Sequence, residues 1–191
     1  MLVLFFIFNI AYASLESNFS LGTGVLSHNY TKSSEFFDFD RFYWLPVETR
    51  AYFDFDYFYF TPKWVITPLA KTSDDGAVKS YVSFLSFPFS FKFNDRFYYS
   101  LGVSMYWNIL QGQGGVTEHA DGTGTSTFAR PNYTQTTQQL LFQLEGVYSF
   151  NNDYDIGAEI YMGQIFQNRQ HFHFLVILRK HFQLNFLRGL Q

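Results

Sequence analysis

The residues with the most chemical potential in this sequence are histidines. His171 and His173 are two positions apart. On a β-strand that spacing puts both side chains on one face. His28 lies far away in sequence, near the other end of the chain. It joins them only if the first and last strands pair antiparallel. Three neutral imidazoles, His28, His171 and His173, would then have the donor chemistry for zinc or copper. A histidine beside a serine would instead act as a general base. His171-Phe172-His173 lacks the serine of a His-x-Ser pair. No catalytic residue is therefore assigned, and no cofactor is implied. The plainer reading is a set of polar histidines lining a mouth. His119, with Glu118 and Asp121, reads as a solvated loop residue.

A second set consists of charges that alternate with apolar residues. Glu48, Arg50, Lys63, Lys92, Glu145, Asp155, Glu159 and Arg179 all fall on the polar face of their segments, four acids against four bases. If that face is enclosed, the charges must pair or neutralise. The expected result is a salt-bridge network filling an interior. The alternative is a narrow, gated ion path.

Both sets need strands to position them, and the chain supplies a two-residue period. Leu85, Phe87, Phe89, Phe91 and Phe93 share one face, with Ser86, Ser90 and Lys92 opposite. Tyr99, Leu101, Val103, Met105, Trp107 and Ile109 alternate with Ser100, Gly102, Ser104, Tyr106 and Asn108. The pattern recurs over 140–150, 154–163 and 172–182, where Leu175 and Ile177 blur the polar face. It is noisier over 18–29, 44–54 and 57–70. Strict alternation means a strand with two chemically different faces. The total is eight strands. Pro62, Pro68 and Pro88 each remove a ladder donor, so bulges or strand ends are expected there.

The joints differ in length. Tight turns are expected at Phe55-Asp56, Asn94-Asp95 and Asn151-Asn152-Asp153, whose Asn and Asp tolerate turn geometry. Longer joints cover 31–43, 71–79 and 111–134, and a short one falls near 167–170. An eight-stranded antiparallel up-and-down barrel follows, with tight turns at one end and mostly long loops at the other. Transmembrane barrels have that asymmetry.

Composition narrows the reading. The 191 residues contain no Cys, which excludes disulfide scaffolds and catalytic thiols. A net charge of −3 excludes an ordinary nucleic-acid binder. Charged residues form 15% and aromatic residues 23% of the chain. Residues 1–13 combine the apolar run Leu2 to Phe8 with Ala11-Tyr12-Ala13, the pattern of a cleaved signal peptide. The barrel is then assigned to 14–182 and a tail to 183–191. A soluble, lipocalin-like barrel would alternate as well. Its water-facing side would carry more charge than Ser, Gly, Gln, Thr and Tyr provide.

The signal segment, the eight alternating strands and the turn asymmetry resemble the small bacterial outer-membrane β-barrel proteins, the class of the OmpA and OmpX barrels. The resemblance spans nearly the whole mature chain. Phe182 fits the terminal aromatic of that class, although nine residues follow it. The stretch from Gly112 to Thr125 is also similar to a loop of uncharacterised proteobacterial barrels. The resemblance implies an outer-membrane location and contact with membrane lipid and lipopolysaccharide. It also implies a non-enzymatic structural, adhesive or partner-binding role. A protein partner would be met through loops 31–43 and 111–134. The alternatives are a lipid A-modifying enzyme using a mouth histidine and a narrow ion channel.

Overall fold

The computed structural model describes residues 18–29, 42–55, 57–73, 78–113, 117–118, 125–126, 134–163 and 171–183. The expected signal segment and most of the tail lie outside the described residues.

The strands are β1 (Asn18–Asn29), β2 (Phe42–Asp54), β3 (Tyr59–Phe60), β4 (Lys63–Ile66), β5 (Lys71–Thr72) and β6 (Val78–Lys92). They continue with β7 (Phe97–Gly112), β8 (Thr117–Glu118), β9 (Thr125–Ser126), β10 (Thr134–Ser149), β11 (Tyr154–Gly163) and β12 (His171–Gln183). The main sheet runs β1-β12-β11-β10-β7-β6, then β3 and β4, then β2, which returns to β1. The pairing of β1 with β12, from Asn18 opposite Gln183 to Asn29 opposite Phe172, closes the ring. The walls are eight because β3 and β4 together make the third. All pairs are antiparallel, so the expected fold is found.

Thr61 and Pro62 interrupt the third wall, as the proline predicts. Hydrogen bonds bridge the gap: Ala51 N–H donates to the Pro62 carbonyl at 3.0 Å and Thr61 N–H to the Pro88 carbonyl at 2.9 Å. Pro88 departs from expectation, for it lies inside the unbroken β6. Its partner is Gly102, where a Cβ would come within 2.5 Å of the Pro88 Cα. The missing side chain lets the ladder pass the proline ring.

Two tight turns use one device. The Asn94 side-chain oxygen accepts from the backbone N–H of Arg96 at 2.9 Å and of Phe97 at 2.8 Å. The Asn151 side chain does the same for Asp153 and Tyr154, both at 2.9 Å. These are the Asx turns that favour asparagine at that position. At the opposite end β7 and β10 continue to Gln111 opposite Thr134. Each has 16 residues, more than the roughly 9–11 that cross a bilayer. The small β8–β9 hairpin lies within the long joint between them.

The two faces are inverted relative to a water-soluble protein. Ser86, Ser104, Asn108, Gln143 and Glu159 are fully buried in the lumen, whereas Leu140 is 68% and Phe142 57% exposed outside. Rings circle the tight-turn end: Phe19 stacks on Phe182, Phe60 packs on Phe89, and Phe91 stacks on Tyr99. Lys180 spans Tyr154 and Phe182. Outside, the Trp64 indole N–H donates to the Ser83 hydroxyl at 2.8 Å. A donor on a wall that meets lipid would need such a partner within the protein. Two tyrosines turn inward instead. Tyr43 is buried with its hydroxyl 2.6 Å from that of Ser80, and Tyr98 lines an inner cavity.

Candidate functional site: a filled lumen

The lumen is built in three layers. The middle layer is charged. Arg179, on β12, reaches four carboxylates: Glu48 at 2.5 Å, Glu145 at 2.6 Å, Glu159 at 2.5 Å and Asp155 at 3.1 Å. Arg50 pairs with Glu48 at 3.1 Å and Glu145 at 2.6 Å. Lys63 pairs with Glu159, and with Glu145 at 3.5 Å. The Tyr161 hydroxyl donates to Glu159 at 2.5 Å, and His181 lies 2.6 Å from Asp155. Planar guanidinium groups suit this layer because their fixed fork meets several carboxylates at once.

Seven of the eight charges singled out in the sequence meet here. Lys92 does not. It sits at the end of β6 and pairs with Asp95 in the next turn at 2.8 Å, both side chains being exposed. The period gave its side correctly, but its position along the strand puts it past the enclosed section. Its hydrogen bond to Asp95 and its charge hold the Asp95 carboxyl below the ordinary carboxylate range.

Space for Arg179 comes from glycine. A Cβ on Gly22, opposite it on β1, would come within 2.9 Å of its Cγ. A Cβ on Gly157 would fall within its guanidinium group. Gly157→Val is therefore expected to displace Arg179 and lower stability by about 1–3 kcal/mol, the usual cost of overpacking. Urea unfolding of the lipid-reconstituted barrel would measure this. An unchanged midpoint would show that Arg179 does not need the gap.

The second layer, toward the long loops, is aromatic and apolar. Phe84 stacks on Tyr161 with centroids 4.4 Å apart, and Tyr106 stacks on His173 at 4.8 Å. Phe84 also meets the edge of His173 at 5.5 Å. Leu26, Val65, Val82, Leu141, Leu175 and Ile177 complete the cluster, each no more than 2% exposed.

This layer decides where the histidines sit. His173 is fully buried among rings. His28 is opposite His173 in the β1–β12 register, and His171 is opposite Gly163. The side chains of His28 and His171 lie outside the described residues. Among the described residues, no three His, Asp or Glu side chains are placed to hold a metal ion.

The third layer is an open vestibule of about 830 Å³ at the tight-turn end. Arg50 and Asp155 form its floor, and Tyr52, Tyr59, Tyr98 and His181 are among its walls.

The eight-walled ring has counterparts among solved structures. Ail, the attachment invasion locus protein of Yersinia pestis, superposes with a TM-score of 0.51 at 10% identity, in a structure with the heparin analogue sucrose octasulfate. The match covers 88% of this chain and 100% of Ail. A second Ail structure gives 0.50, again at 10% identity, with the same coverage of each chain. The chain has the fold of the small outer-membrane β-barrels. Neisserial surface protein A is also similar, with a TM-score of 0.46 at 11% identity over 88% of this chain and 97% of that one. No protein family model matches the sequence, and neither does any curated protein.

Proposed function

We propose that this chain is a non-enzymatic barrel of the bacterial outer membrane whose filled lumen serves stability and whose long loops bind a partner. One observation carries the reading: buried ion pairs and a layer of stacked rings occupy the interior between the two ends. An eight-stranded barrel has room for little more than its own side chains. The side chains of both layers are packed against one another, and His173, inside the aromatic layer, is fully buried. Function then falls to the loops, where a rigid scaffold displays binding residues. Residues 1–13 act in this reading as a secretion signal, and the tight-turn end, where β1 starts and β12 finishes, faces the periplasm.

The loops also bear on the partner's chemistry. Ail was solved with a sulfated heparin analogue. Here segments 31–43 and 111–134 carry five acids, Glu35, Asp38, Asp40, Glu118 and Asp121, against Lys32, Arg41 and Arg130. A polyanion would meet repulsion. The acids and the phenylalanines of 36–42 suit a basic protein surface instead.

Cells producing the chain are expected to adhere to a lysine-rich protein surface and not to immobilised heparin. Removal of residues 33–40 together with 114–132 should abolish that adherence. Adherence to heparin, or adherence that survives the deletion, would overturn the assignment. In a planar bilayer the purified protein should carry no current above background. Steady conductance would favour the channel.

A further inference from the structure

The vestibule is a second candidate site, separate from the loops. Its volume of about 830 Å³ lies within the range of small-molecule sites, roughly 300–1,000 Å³. One wall is a chain of buried hydroxyls: Thr61 to Ser90 at 2.8 Å and Ser90 to Ser100 at 2.7 Å. Other walls are rings. Tyr52 packs against His181 at 5.4 Å, and Tyr59 meets Tyr98 edge-on at 6.3 Å.

Two cations, Arg50 and Arg96, face three acids there, Asp95, Asp153 and Asp155. Arg50 spends Nε and Nη2 on Glu48 and Glu145, and Asp155 is held by Arg179 and His181. An anion would therefore find no net positive field, and an apolar ligand would strip water from the polar groups of Tyr52, Tyr59, Tyr98, Asn151 and Asn152. Flat rings beside a line of hydroxyls suit a ligand with both apolar faces and many hydroxyl groups.

We propose that the vestibule binds a neutral oligosaccharide. With the tight turns on the periplasmic side, an orientation that rests on the reading above, its source is the cell-wall glycan.

The test uses the full chain refolded in detergent and chitotriose, the N-acetylglucosamine trimer, followed by ligand-observed NMR. Saturable binding is expected. Tyr98→Ala, which removes one ring wall, should weaken it by about tenfold. Val147→Phe, which fills the cavity from its lining, should abolish it. Each variant is first checked for the faster gel migration of an unheated barrel. No saturable binding by the unaltered chain, or undiminished binding by folded Tyr98→Ala, would overturn the proposal. Orientation is read separately, by labelling Asn151→Cys in intact cells with a membrane-impermeant reagent. Labelling would overturn the cell-wall source whatever chitotriose does. Protection together with binding supports the whole proposal.

Discussion

Arg179→Met will destabilise the barrel by about 3–5 kcal/mol, the cost of breaking a buried ion pair, and the variant will refold poorly. Arg179 is fully buried and holds Glu48, Glu145, Asp155 and Glu159 together from four different directions. Without it, those four carboxylates keep only Arg50 and Lys63 as buried cations, with His181 at the edge. The penalty comes from the carboxylates left behind more than from the lost attraction. For that reason Glu48→Gln, added to Arg179→Met, should restore part of the stability. Arg179→Lys should not match the native protein, because a single ammonium cannot replace the guanidinium fork. Lys92→Met is the control: its exposed pair with Asp95 lies outside the network, and no measurable loss is expected. Urea unfolding in lipid vesicles reads all four. An Arg179→Met midpoint equal to that of the native protein would show that the network contributes nothing to stability.

The second large effect is on the outer wall. Leu144 is 41% exposed in β10, five residues before its tight-turn end, between Leu101 and Ile160 in the register. In a bilayer, Leu144→Lys places an ammonium near the midplane and should cost about 2–4 kcal/mol. On a soluble barrel the same substitution would add a harmless surface charge. Gln143→Leu, one residue away, should also destabilise, since Gln143 points into the lumen and donates to Glu159 at 3.5 Å. Neighbouring residues thus obey opposite rules. If Leu144→Lys unfolds at the native midpoint in lipid, that face does not meet the membrane.

Much of the wall was legible before any coordinates. The alternation of Phe87, Phe89 and Phe91 with Ser86 and Ser90 assigns both faces, because a strand has no other period. The asparagine turns followed from the same local chemistry. Pairing set what local pattern does not. Lys63 and Lys92 look alike on paper, yet only the register shows that Lys63 lies at the height of Glu48 and Arg50. The two-residue period puts Gly22 and Gly157 on the inward face, but their use as space for Arg179 depends on which strands flank β12.

The aromatic layer was missed, although a signal exists. Leu140-Leu141-Phe142 and Phe174-Leu175-Val176-Ile177-Leu178 are unbroken apolar runs of three and five residues. Such a run must send at least one apolar side chain inward. Leu141, Leu175 and Ile177 are those residues, and all belong to the cluster around Phe84. Read this way, breaks in the alternation mark the apolar layer of the lumen.

The central claim is an inverted barrel, with lipid outside and charges locked inside. Fractionation of producing cells, followed by gel electrophoresis with and without boiling, tests it most directly. The account predicts recovery in the outer-membrane fraction and faster migration of the unboiled protein. Recovery in the soluble periplasm without detergent, with identical migration before and after boiling, would contradict it.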